Sequence, residues 1–147
     1  DLEVIYYAAE AYPISLEQAA QLNYHPYLGL EDKPDLLTDF HKQAWEKAVA
    51  YNSHFSLKKI KSRFEDLILP QNFFDLVYYD AFAPTTQPEL WEPDVLKIMF
   101  DCLQPGGILV TYSAKGSVKR NLKSLGFEIE SLPGPPGKRE MTRARKP

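Results

Sequence analysis

The sequence predicts an open α/β sheet, mostly parallel, that ends in an antiparallel strand pair. Three observations carry this. β-prone apolar runs alternate with segments of helical period, in the order β-α-α-β-β-α-β-α-β-β. Two of the strands are closed by a carboxylate, Glu10 and Asp80. The last two runs are joined by the Pro- and Gly-rich segment Leu132-Pro133-Gly134-Pro135-Pro136-Gly137, which allows Arg139 to Ala144 to return antiparallel.

The elements follow in order. Val4-Ile5-Tyr6-Tyr7-Ala8-Ala9 is a continuous apolar run, the pattern of a strand buried on both faces, and Tyr12-Pro13 ends it. Ser15 with Gln18 three residues on is a capping-box start for a helix through Leu22. His25-Pro26 to Pro34 reads as loop with a short turn. From Pro34 to Ala50, Leu37, Phe40, Ala44, Trp45, Ala48 and Val49 recur near the helical period and predict a second helix. Phe55 to Lys61 alternates as a strand with one wet face, and Phe74 to Tyr79 is a further strand. A helix follows from Asp94 to Leu103. Gln104-Pro105-Gly106-Gly107 reads as a turn before the strand Ile108 to Tyr112. The next helix runs from Ser117 to Leu125 and stops at Gly126, and Phe127 to Leu132 alternates in period two.

Composition narrows the classes of function. The 147 residues suffice for one ordinary domain, and 44% hydrophobic with 25% charged residues excludes a wholly disordered chain. No apolar run approaches the ~20 residues that cross a bilayer, and Asp1-Leu2-Glu3-Val4 lacks a signal-peptide pattern. The single cysteine, Cys102, excludes an intramolecular disulfide framework and fits a reducing cytoplasm. The net charge of −3 conceals a split. Residues 1–114 hold 8 Lys/Arg against 17 Asp/Glu, and residues 115–147 hold 9 against 3. Such asymmetry marks either a nucleic-acid contact surface or solvated surface helices.

In open α/β sheets ligands gather outside the carboxyl ends of the strands. Glu10, Asp80 and Ser113-Ala114-Lys115-Gly116 all stand there. Glu10 suits the two hydroxyls of a ribose, or is an exposed surface glutamate. Asp80-Ala81-Phe82-Ala83-Pro84 places a carboxylate beside an aromatic and a stiffening proline. It is either a site for an amine, which the carboxylate orients and relieves of a proton, or a helix-capping loop. His25, His41 and His54 lie outside metal-ligand spacing, and neither a G-x-S-x-G elbow nor a P-loop occurs. Cys102 and Trp45 read as core; Trp91 is core or pocket wall.

Asp80-Ala81-Phe82-Ala83-Pro84, Pro88-Glu89-Leu90-Trp91, Leu103-Gln104-Pro105-Gly106-Gly107, Thr111-Tyr112-Ser113-Ala114-Lys115-Gly116, Val118-Lys119-Arg120-Asn121-Leu122, Gly126-Phe127 and Gly137-Lys138-Arg139-Glu140-Met141 occur in this order. Together they resemble the methyltransferase domain of the MnmC family, from about Leu2 to Lys146. The resemblance implies a Rossmann-like class I methyltransferase that uses S-adenosylmethionine. It further implies conversion of the aminomethyl group on carbon 5 of the tRNA wobble uridine to methylaminomethyl.

Carried over by residue, Glu10 takes the ribose hydroxyls, and Asp80 stands beside the methionine end of the cofactor and the incoming amine. Phe82 and Asp66 join them around the cofactor. Pro84, Lys115, Lys138, Arg139 and Glu140 face the substrate, with the basic side chains toward tRNA phosphates. The position aligned with the family's adenine-contacting acid is Arg63, so Asp66 or a backbone carbonyl takes that place. The resemblance also implies a flavin-dependent oxidase acting upstream. It places the family's first strand and glycine loop ahead of Glu10, outside these residues, which makes the chain the C-terminal portion of one domain with two central strand edges unpaired. Two further readings of the residues stand beside this one: a methyltransferase for a small amine, and a non-catalytic interaction module.

Overall fold

The apolar run Val4–Glu10 forms strand β1, but it is not buried on both faces as its composition predicts: Val4, Ile5 and Tyr6 are exposed and Tyr7, Ala8 and Ala9 only half-buried. The computed structural model describes residues 2–29, 32–33 and 35–147, which fall into two units divided after Arg63. In the first unit, Ser15 caps α1 (Leu16–Ala20): its hydroxyl accepts the Gln18 amide, and the Gln18 side chain accepts the Ser15 amide. The expected loop holds the one-turn α2 (His25–Leu28), while its Leu30, Glu31 and Pro34 lie outside the described residues.

The helix predicted from 34 to 50 is shorter than its periodicity. Helix α3 covers Leu36–Lys42 only, and Ala48–Ala50 is instead strand β2, antiparallel to β3 (Phe55–Lys61). Two local causes are visible. Gln43 leaves the helical region and is buried, its amide donating to the Leu57 and Lys47 carbonyls at 2.7 and 3.1 Å. Asn52 then accepts the His54 amide at 2.8 Å, a side-chain turn that closes a β2–β3 hairpin. β3 pairs in parallel with β1 from Phe55 opposite Val4 to Lys61 opposite Glu10. The sheet order is β1-β3-β2, so one edge of β1 has no strand partner among the described residues.

The second unit opens with a 3₁₀ turn, Phe64–Asp66, followed by β4 (Phe74–Tyr78) and a second 3₁₀ turn, Pro88–Trp91. Helix α4 (Pro93–Cys102) leads into β5 (Leu103–Thr111), then α5 (Gly116–Ser124), β6 (Glu128–Pro133) and β7 (Glu140–Arg145). The Pro105-Gly106-Gly107 segment lies inside β5, where the turn was expected ahead of the strand. It forms an irregularity: Phe74 faces Leu103, but Leu76 already faces Ile108. Gly106 takes a φ of 83°, and Gly107 has no room for a Cβ, which would stand 2.8 Å from the Gln104 carbonyl.

The sheet order here is β4-β5-β7-β6, with β4 and β5 parallel and β7 antiparallel to both neighbours. The expected terminal antiparallel pair is present, with β7 inserted between β5 and β6. Leu96 of α4, Leu122 of α5 and Leu103 and Leu109 of β5 are completely buried. Each such leucine stabilises the fold by about 1.5–3 kcal/mol relative to exposure. The single expected sheet is thus resolved as a three-stranded and a four-stranded sheet, and β4, like β1, is paired on one side only among the described residues.

Candidate active site at the end of β4

Asp80 is the second residue beyond β4. Tyr79 still donates its amide to the Val110 carbonyl at 2.9 Å, so Asp80 is where the chain leaves the sheet. Ala81 turns inward and is buried, whereas Asp80 and Phe82 face outward, Phe82 with 69% exposure. An exposed carboxylate and an exposed ring on neighbouring turn positions suit a cationic or amine group beside a flat one.

The loop that presents them is held by its carbonyls. Tyr112 Oη donates to Ala81 O at 2.8 Å, and Trp91 Nε1 donates to Phe82 O at 2.8 Å. Tyr79 Oη donates to Leu90 O, and Asn121 Nδ2 donates to Trp91 O at 2.9 Å. Amides of Thr86 and Gln87 both bond to Ala83 O, which closes the turn around Pro84. Trp91, 2% exposed, stacks edge-on to Tyr79 at 5.1 Å and Tyr112 at 6.1 Å. It is therefore core beneath the loop and not a pocket wall. Burial, with the charge of Glu65 second, pushes the Tyr79 phenol well above its usual range, so it remains a donor.

Asp66, exposed at the end of the first 3₁₀ turn, belongs to the same unit; the neighbouring Phe64 ring lies 5.5 Å from Tyr79. The basic residues divide into two groups. Lys119 bridges Glu140 at 3.1 Å and Ser131 at 2.8 Å, and Arg143 grips Glu130 at 2.5 and 3.1 Å. The hydrogen bond from Lys119, with one from Ser131 second, lowers the Glu140 carboxyl from its ordinary value. Lys146 donates to Asn72 Oδ1 and to the carbonyls of Phe100 and Leu103, between 2.7 and 2.9 Å, and so caps the end of α4. Lys115, Lys138 and Arg139 remain exposed, Lys115 before α5 and the other two in the β6–β7 loop. The positive C-terminal charge is thus partly internal glue.

The β6–β7 loop is built tightly. The Lys138 amide donates to Pro135 O at 2.9 Å, and the Gly134 amide donates to Arg139 O at 3.3 Å. A Cβ on Gly134 would stand 2.5 Å from the Lys138 carbonyl, so only glycine fits there. Lys138 Nζ lies 4.1 Å over the Tyr112 ring.

In the other unit, Glu10 is the last residue of β1 and is exposed, its Oε1 accepting the Tyr12 amide at 3.0 Å. It stands at a cavity of about 710 Å³ lined also by Tyr12, Ile14, Trp45 and Lys59. Lys59 is a buried residue that the alternation of its strand did not single out. Its Nζ donates to the His41 carbonyl at 2.8 Å and lies 4.6 Å over Trp45, and burial lowers its pKa. Tyr112 and Asn121 are functional supports that the sequence does not announce, because a hydrogen bond to a distant carbonyl leaves no local signal. Among the described residues no three His, Cys, Asp or Glu side chains gather as a metal ligand set. No described helix is long and apolar enough to cross a membrane.

Residues 35–147 match a family model described as S-adenosyl-L-methionine-dependent methyltransferase. The chain is 33% identical, over 92% of its length, to the tRNA 5-methylaminomethyl-2-thiouridine biosynthesis bifunctional protein MnmC of Cupriavidus metallidurans, and covers 21% of that protein. Its identity to the protein of the same description from Actinobacillus pleuropneumoniae is 29%, again over 21% of the relative. The chain therefore spans about a fifth of the length of these curated relatives. Among solved structures, MNMC2 from Aquifex aeolicus superposes with a TM-score of 0.69 at 25% identity, over 99% of this chain and 45% of that one. An S-adenosylmethionine-dependent methyltransferase from Methanosarcina mazei, 13% identical, shares the fold at a TM-score of 0.52 over 99% of this chain and 93% of its own. The family match covers well over half of these residues, and the chain belongs to the S-adenosyl-L-methionine-dependent methyltransferase family.

Proposed function

We propose that the protein carrying this chain is an N-methyltransferase that acts on an aminomethyl group at carbon 5 of the tRNA wobble uridine. The observation that carries this is the exposed Asp80–Phe82 pair on a loop whose carbonyls are individually pinned. The substrate class is supported by the tRNA 5-methylaminomethyl-2-thiouridine pathway in the relatives' descriptions.

The described side chains fit the cofactor chemically. Glu10 offers a carboxylate to vicinal hydroxyls, Asp80 and Asp66 offer negative charge to a cationic centre, and Phe82 offers an exposed ring. S-Adenosylmethionine, when bound, supplies a methyl group on a positively charged sulfur. Asp80 accepts an N–H of the substrate amine and thereby aims its lone pair. It also takes up, or passes to water, the proton that the amine loses. Pro84 stiffens the turn behind it. Lys115, Lys138 and Arg139 meet tRNA phosphates, and Glu140 orients the loop through Lys119. A flavin-dependent oxidase that acts before this step completes the proposal, since the substrate must first be freed to an amine.

A single strand from outside these residues is proposed to cover the open edges of β1 and β4, because unpaired strand edges are costly. Amide exchange along β1 and β4 should then be slower in the full protein than in the 147-residue chain; equal exchange contradicts it. The methyl-transfer proposal is tested with tRNA bearing 5-aminomethyluridine, tRNA lacking it, and a free small amine. Labelled methyl should appear only in the first. Equal labelling of the free amine favours a small-molecule enzyme, and no labelling of any favours an interaction module.

A further inference from the structure

Tyr112 has a connection on each side. Its hydroxyl donates at 2.8 Å to the carbonyl of Ala81, the residue after Asp80, and its ring carries Lys138 Nζ at 4.1 Å. Tyr112 comes directly after β5, packed edge-on against the buried Trp91, so the ring has a firm inner support. Lys138 sits in a loop fixed by its own amide bond to Pro135 O and by Gly134 beneath it. One aromatic side chain thus joins the exposed basic loop to the turn that carries the candidate catalytic carboxylate.

We propose that Tyr112 is a positioning residue that sets the direction of Asp80 through Ala81 and links it to substrate phosphate at Lys138. The inference rests on the methyltransferase reading above. A phosphate that engages Lys138 presses or draws the cation over the ring, and the ring's hydroxyl transmits this to the Ala81 carbonyl. Burial and, second, the charge of Asp80 raise the Tyr112 phenol above its usual pKa, so it stays a donor at neutral pH. A hydrogen bond is a stiff constraint on a turn, and misplacing a reacting group by a fraction of an ångström costs rate while leaving binding intact.

The test compares kcat and KM of the full protein on tRNA for wild type, Tyr112→Phe, Lys138→Met and the double variant. Tyr112→Phe keeps the ring and its contacts and removes only the donor. Its kcat should fall about tenfold, with KM for tRNA and cofactor affinity unchanged. Lys138→Met should raise KM and also lower kcat several-fold, and the double variant should lose little kcat beyond Tyr112→Phe alone. Unchanged kcat in Tyr112→Phe, or additive losses in the double variant, overturns the linkage. If Tyr112→Phe fails to fold, Lys138→Met decides alone: a kcat loss supports the linkage, and a change in KM only overturns it. An inactive wild type would instead refute the proposed reaction, so the two failures are distinct.

Discussion

The indole Nε1 of Trp91 donates to the carbonyl of Phe82 at 2.8 Å, which places a buried aromatic directly under the loop that carries Asp80. The bond spans nine residues and closes the proline-rich connection onto its own strand. Trp91→Phe removes the donor and leaves a small cavity. Its stability should fall by about 1–3 kcal/mol, measured by denaturant unfolding, and methyl transfer should fall with it. Retained stability would show that the loop is held mainly by Tyr79 and Tyr112.

Phosphate contact should divide the basic residues as the ion pairs do. Lys138→Ala and Arg139→Ala should each reduce the slope of log affinity for tRNA against log salt by about 1. Arg143→Ala should leave that slope nearly unchanged, because Glu130 already holds its guanidinium. A filter-binding series at several salt concentrations checks this.

Cys102 should behave as core. It is 1% exposed, and burial pushes its thiol up to about 11 from an ordinary 9.0. At pH 8 the native protein should react with iodoacetamide about a hundredfold more slowly than a free thiol, and at the normal rate once unfolded. The sign for stability follows from the raised value. The unfolded thiol ionises first, so this contribution is intact below 9.0 and is lost as the pH rises toward about 11. Rapid alkylation of the native protein would contradict the buried position.

Much of this arrangement was legible in the residues. The Ser15–Gln18 capping box, the helix beginning near Asp94 and the antiparallel pair on either side of Gly137 all express local rules: caps, periodicity and turn residues. The stretch from Ala44 to Ala50 has apolar spacing that fits a helix, yet it leaves the helix and ends in β2. The decision lay elsewhere, in Gln43 turning inward to the Leu57 carbonyl and in the turn at Asn52. The carboxylates at Glu10 and Asp80 could be picked out because strand ends are where such sheets bind ligands. The support under Asp80 could not, since Tyr112 meets Ala81 across 31 residues. Likewise the C-terminal surplus of Lys and Arg was visible, but not that Lys119, Arg143 and Lys146 are tied within the fold.

The most direct measurement is a side-by-side assay of Asp80→Asn and wild type in the full protein, following methyl transfer to aminomethyl-tRNA together with calorimetric binding of S-adenosylmethionine. Asparagine keeps the size of the side chain and removes its charge and proton-accepting capacity. Turnover should fall by about a hundredfold or more while cofactor affinity changes by only a few-fold. Wild-type turnover in Asp80→Asn, or a loss explained entirely by weaker cofactor binding, would contradict the role assigned to Asp80.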